Sequence, residues 1–144
     1  MLLGVHGFNL IIISRVMNRD ELNALGNEIL DACIAVHKEL GPGLLESVCV
    51  YALRKELELR GIKSVAEVAV KLFYKGYDTG KKYEIDLLIE NEIILEAKAV
   101  EIMHPVYQAQ IICHLKLTDK CPGYLVNFNV VRLKDGFKRF VNNL

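Results

Sequence analysis

Two apolar runs lie close together near the middle of this chain, and each carries charge. They are Tyr83-Glu84-Ile85-Asp86-Leu87-Leu88-Ile89 and Ile93-Ile94-Leu95-Glu96-Ala97-Lys98-Ala99-Val100. Their length and aliphatic content make both of them buried β-strands. A charge among such residues costs on the order of several kcal/mol unless it is paired, hydrogen-bonded or bound to a cation. The fold must therefore place both strands inside a sheet and also give Asp86, Glu96 and Lys98 partners. No phosphate loop, nucleophile elbow or dinucleotide fingerprint competes with this constellation.

Glu96 and Lys98 are two residues apart on one strand, so they share a face and lie about 6–7 Å apart along it. Glu90-Asn91 reads as a tight two-residue turn. That turn sets Asp86 opposite Leu95, which puts Asp86 and Glu96 on opposite faces. A three-residue loop or a bulge would bring them together. Once together, two carboxylates raise each other's pKa until they share a cation. A hard divalent ion such as Mg²⁺ suits oxygen donors, and it would activate water and polarise a phosphoryl oxygen. Lys98 would orient that water or stabilise phosphate charge. A structural Lys–carboxylate pair accounts for two charged groups, but three in adjacent apolar strands point to a site.

Around this hairpin the periodicity is helical, then extended, then mixed. Leu22, Leu25, Ile29, Cys33, Val36 and Leu40 recur at helical spacing. Asn18 or Asp20 caps the start, and Gly41-Pro42-Gly43 ends the helix. A second helix begins near Leu44 and closes at Gly61. Val68, Val70, Leu72 and Tyr74 alternate along a first strand, and Lys75 to Lys82 is turn-like. Pro105 opens a helix running to about Leu117. Tyr124–Phe128 and Phe137–Val141 are further strands, the former pairing in parallel with the Glu96 strand. The order makes a small single-domain α/β fold with a mixed sheet flanked by helices.

The 144 residues fit one domain, 52% apolar and 25% charged, so the chain is globular. Its 18 basic and 18 acidic residues cancel. That argues against strong non-specific nucleic-acid binding but leaves room for local basic patches, such as Lys71, Lys75, Lys81 and Lys82, or Arg132, Lys134, Lys138 and Arg139. Cys33, Cys49, Cys113 and Cys121 lack zinc or redox spacing, so no zinc is expected. Their apolar settings read as reduced, mostly buried thiols in a cytoplasmic protein. His37 reads as a helix C-terminal cap. Leu10-Ile11-Ile12-Ile13 is too short to span a bilayer, so no membrane partner is expected. Residues 1–17 read as an extension upstream of a natural start, or as an extra edge strand, and 18–144 as the domain.

Several separated segments carry a resemblance. They are Val36-His37-Lys38-Glu39-Leu40-Gly41-Pro42-Gly43-Leu44-Leu45-Glu46-Ser47-Val48, Asp86-Leu87-Leu88, Glu96-Ala97-Lys98-Ala99-Val100, Ala109-Gln110, Asn127-Phe128-Asn129 and Arg132-Leu133-Lys134-Asp135-Gly136. Across residues 20–141 the chain resembles the GxxExxY family, a RecB-like branch of the PD-(D/E)xK nuclease superfamily. The resemblance implies a restriction-endonuclease-like fold of αβββαβ core order. It implies that Asp86, Glu96 and the backbone carbonyl of Ala97 hold Mg²⁺ or Mn²⁺, and that Lys98, Gln110 and Glu46 complete the catalytic set. Two positions depart from the family pattern. Cys49 stands where the GxxExxY motif has tyrosine, with Tyr51 on another part of the helix. His114 stands where the RecB-like helix has tyrosine. Both Cys49 and His114 are candidate site-lining residues.

The sequence thus leads to a Mg²⁺-dependent nuclease that hydrolyses DNA phosphodiester bonds with metal-activated water. The alternative is a non-catalytic nucleic-acid-binding or protein-interaction domain on a nuclease scaffold.

Overall fold

Asn18 starts the first helix with a reciprocal cap. Its side chain accepts the Glu21 amide at 2.8 Å, while Glu21 accepts the Asn18 amide at 2.9 Å. In the computed structural model, which describes residues 16–142, this helix is α1, Arg19–Leu40. The reading of residues 1–15 as extension or edge strand lies outside the described residues. Gly41, at φ +72°, ends α1 in the left-handed region that glycine tolerates. Helix α2, Glu46–Leu59, follows. Arg60 then ties the end of α2 back to α1, meeting Asp31 and Glu56 at 2.9 Å and Glu28 at 3.4 Å.

The remaining elements are β1 Ser64–Tyr74, β2 Tyr77–Ile89, β3 Ile93–Lys98, α3 Pro105–Thr118, β4 Gly123–Asn127, a 3₁₀ turn Leu133–Gly136 and β5 Phe137–Phe140. Among the described residues the strands form one sheet in the order β1-β2-β3-β4-β5. Neighbours are antiparallel except β3 and β4, which run parallel as the sequence implies. The small α/β architecture, with helices on a five-stranded mixed sheet, is consistent with a restriction-endonuclease-like fold.

Helices α1 and α2 cover one side of the sheet. Leu25, Ile29, Ala32, Cys33, Leu53 and Leu57 pack there against Leu87, Ile89, Leu95, Ala97 and Val126. Each such aliphatic side chain contributes roughly 1.5–3 kcal/mol by leaving water. Gly26 lets α1 approach closely, because a Cβ there would run into the Tyr124 hydroxyl. A second cluster joins Leu115 of α3 to Ile85 and Ile94, with Val68, Val70, Tyr83 and Leu88 around it. Strand β3 is buried on both faces from Ile93 to Ala97. Layers of α1/α2 and α3 thus enclose the charged strand.

Three expectations are corrected. The turn after β2 contains three residues, Glu90 to Glu92, rather than two, and pairing runs Leu87 to Leu95, Leu88 to Ile94 and Ile89 to Ile93. Glu90 and Asn91 both take positive φ, +50° and +57°. Glu90 is held there by Lys63, whose carbonyl accepts the Glu90 amide at 2.9 Å and whose amide donates to the Glu90 carboxylate at 2.8 Å. His37 does not cap α1 with its side chain. Its Nε2 bonds the Val130 carbonyl at 2.7 Å and fastens α1 to the loop after β4. Cysteine burial is uneven: Cys33 and Cys49 are buried, Cys121 is intermediate and Cys113 is exposed, all four as free thiols.

Candidate active site

The three-residue turn decides the site. With Leu87 opposite Leu95, Asp86 falls level with Glu96 rather than Leu95, and its carboxylate comes within reach of Glu96. Regular pairing of β2 with β3 stops at Leu87. In a continued ladder Ala97 would exchange bonds with the backbone of β2. Instead its amide donates to Asp86 Oδ2 at 2.8 Å. The next carbonyl along, that of Lys98, accepts the Phe128 amide at 2.8 Å and so turns toward β4. Strand alternation then turns the Ala97 carbonyl the other way, to the edge where Asp86 stands.

Glu96 is 7% exposed, and its Oε2 meets His114 Nδ1 at 3.0 Å. Burial pushes the Glu96 carboxyl up, and neighbouring Asp86 adds to this; the His114 hydrogen bond pulls it back down. Glu46, the first residue of α2, is raised by burial first and by the charge of Asp86 second, with Lys98 opposing. That influence from Asp86 and Lys98 puts Glu46 in the same electrostatic neighbourhood. Lys98 Nζ lies 4.5 Å from the centre of the Tyr107 ring, a cation–π contact from the first turn of α3. The structure therefore brings together Glu46, Asp86, Glu96, Lys98 and His114.

Gln110 and Cys49 stand differently. Gln110 is exposed on α3, one turn from both Tyr107 and His114 and on the face that carries them. Cys49 lies one turn after Glu46 and is buried in the α1/α2 core. Burial raises its thiol, and the charge of Glu46 raises it further. It forms the apolar floor behind Glu46.

Two aromatic residues escape a reading of the sequence. Tyr83 stacks on His114 with ring centres 4.1 Å apart and planes 8° from parallel. Its hydroxyl is buried without a hydrogen-bond partner among the described residues and is pushed up to about 12, chiefly by burial, with Cys113 and Glu96 adding. Tyr107 shelters Lys98. Phenols are thus present beside the carboxylates although positions 49 and 114 lack them. Helical spacing from Gln110 would have pointed to Tyr107. Tyr83 offers no such signal, because its contact is with a residue far along the chain.

Among the described residues, no group of three or more His, Cys, Asp and Glu side chains is arranged to hold a metal ion. The carboxylates are engaged by protein donors, Asp86 by the Ala97 amide and Glu96 by His114. The donor chemistry nevertheless fits a hard divalent cation. Mg²⁺ keeps most of its waters and needs only one or two carboxylates, so Asp86, Glu96 and the Ala97 carbonyl suffice as a set. Raised carboxyls in mutual proximity are also what a cation relieves.

Comparison with protein-family models gives one finding that bears on this arrangement: the model described as PD-(D/E)XK nuclease superfamily matches residues 23–140, most of the chain. Comparison with curated proteins and with solved structures gives no significant match. No described helix is long and apolar enough to cross a membrane.

Proposed function

Because this chain belongs to the PD-(D/E)XK nuclease superfamily, we propose that it is a metal-dependent nuclease that hydrolyses DNA phosphodiester bonds with water as the nucleophile. Within the superfamily we assign it to the GxxExxY branch, on Gly43, Glu46 and the flanking segment. The observation that carries the reading is Asp86 and Glu96 meeting beside the Ala97 backbone, with Lys98 on the same face of β3. Asp86, Glu96 and the Ala97 carbonyl would hold Mg²⁺ or Mn²⁺, with Glu46 close by. When bound, the cation supplies Lewis-acid polarisation of the phosphoryl group and acidifies its water.

The remaining roles belong to the chain itself. Lys98 offers positive charge to the phosphate as negative charge builds there, and Tyr107 keeps its ammonium in place. His114 fixes the rotamer of Glu96 through its hydrogen bond to Oε2. Gln110, exposed between Tyr107 and His114, is placed to orient substrate or water. Free thiols at all four cysteines accord with a reducing, cytoplasmic setting.

A melting-temperature titration with Mg²⁺, run beside cleavage of single- and double-stranded DNA, tests the proposal. A Mg²⁺-dependent rise in Tm with cleavage supports it. Absence of both hands the scaffold to the non-catalytic reading.

A further inference from the structure

Strands β1 and β2 extend well past the rest of the sheet. From Phe73 to Lys82 every residue is exposed, and neither helix layer reaches this arm. Apolar exposure is concentrated in its aromatics, with Phe73 57%, Tyr74 64% and Tyr77 77% accessible. Within Phe73–Lys82 the lysines Lys75, Lys81 and Lys82 stand against one acidic residue, Asp78, in a chain whose total charge is zero. Asp78 lies 3.8 Å from Lys71, which leaves the other three lysines outside that pair.

Pairing gives the arm a direction. Tyr74 opposes Tyr77 and Val70 opposes Tyr83. The pairing shifts by two residues of β2 between Lys71 and Phe73, which keeps the alternation in step, so along Val70, Leu72 and Tyr74 of β1 the tyrosines Tyr74, Tyr77 and Tyr83 fall on one side of the ribbon. Lys75 sits 5.5 Å above the Tyr74 ring on that tip. Four residues of β1, about 14 Å, separate the tyrosine pair from Val70 and Tyr83. Tyr83 stacks on His114, and His114 holds Glu96. An aromatic track therefore runs from the exposed tip, where Lys75 lies over Tyr74, toward the carboxylate site.

We propose that the Phe73–Lys82 arm binds single-stranded nucleic acid, stacking bases on Tyr74 and Tyr77 and pairing phosphates with Lys75 and Lys81, and so leads one strand toward the carboxylates. The direction of delivery rests on the nuclease reading; the binding does not. Charge selects this occupant. Three uncompensated lysines repel a second copy of the same arm and attract a polyanion. Aromatic faces select single strands, since bases in a duplex are already stacked on each other.

Fluorescence anisotropy in EDTA, where cleavage cannot interfere, tests the arm with labelled oligodeoxythymidine and a duplex of equal length. The wild type is expected to prefer the single strand. Tyr74→Ala with Tyr77→Ala weakens single-strand binding by about tenfold or more. Lys75→Ala with Lys81→Ala lowers the slope of log affinity against log salt by about 1.4. Both pairs are exposed, and circular dichroism checks that the fold is unchanged. Equal affinity for duplex and single strand, or wild-type affinity in both double variants, overturns the proposal. So does a concentration-dependent dimer that the tyrosine substitutions dissolve without changing oligonucleotide affinity. Arm-dependent binding without any Mg²⁺-dependent cleavage would end the nuclease reading and keep the arm; cleavage with arm-independent binding would do the reverse.

Discussion

Glu96 occupies a position that a hydrophobic residue would fill more comfortably, and its neighbours explain why it is tolerated. His114 answers one oxygen, and Asp86 shares the remaining space. Glu96→Gln or Asp86→Asn is expected to abolish Mg²⁺-dependent cleavage and the Mg²⁺-dependent rise in Tm. The metal-free fold should be retained or slightly strengthened, because one of two repelling carboxylates is gone. Lys98→Met should keep the Mg²⁺ shift in Tm but lose roughly 10²–10³-fold in kcat, since only charge stabilisation is removed. The raised carboxyls also fix a pH dependence. Folded Glu46 and Glu96 retain protons that the unfolded chain releases once pH passes their ordinary value of 4.5. Stability of the metal-free protein should therefore fall as pH rises from that value through the folded-state values. Tm against pH, compared between wild type and Glu96→Gln, reads the difference, and a flatter profile for the variant is the expected result. Asp86, Glu96 and Lys98 were legible as a set because charge in an aliphatic strand is conspicuous. Tyr83 was not, because its meaning comes from stacking on a helix residue that no local pattern connects to it.

At the scale of elements, helix and strand periods were readable from residue 18 onward, and the parallel pairing of β3 with β4 followed from the intervening helix. The turn between β2 and β3 was not readable. Its left-handed Glu90 is held by Lys63, which stands before β1, and no turn signature predicts a glutamate there. One residue of difference in that loop brings Asp86 level with Glu96 rather than with Leu95. Asn127 shows a second element-level device. At the end of β4 its Nδ2 donates to the Val100 carbonyl at 2.9 Å, and its Oδ1 accepts the Val100 and Asn129 amides at 3.1 and 3.2 Å. It pins the chain as it leaves β3 just past Lys98. Asn127→Ala is expected to destabilise by about 2–3 kcal/mol in denaturant unfolding, since it removes three bonds at a buried position.

For the molecule as a whole, the division between a buried slab and a projecting arm has its own consequence for stability. Replacing Phe73–Lys82 with a short Asn-Gly turn should change unfolding free energy by about 1 kcal/mol or less, because those side chains pack on neither helix layer. Denaturant midpoints with an unchanged m-value would establish it. Whole-molecule features were the most legible of all: zero net charge, enough apolar residues to bury a core and the two local basic clusters follow from composition and spacing. What the sequence left hidden was that one cluster shares a ribbon with exposed aromatics. The stacked pair of Tyr83 and His114 carries a last implication, which is optical. With no tryptophan in the chain, near-ultraviolet emission comes from six tyrosines, and one of these lies against an imidazole with a carboxylate nearby. Imidazole and carboxylate groups quench phenol emission, so any event that shifts Glu96 or His114 alters the brightness of Tyr83. A cation that displaces His114 from Glu96 is therefore expected to change Tyr83 emission, and Tyr83→Phe supplies the dark control.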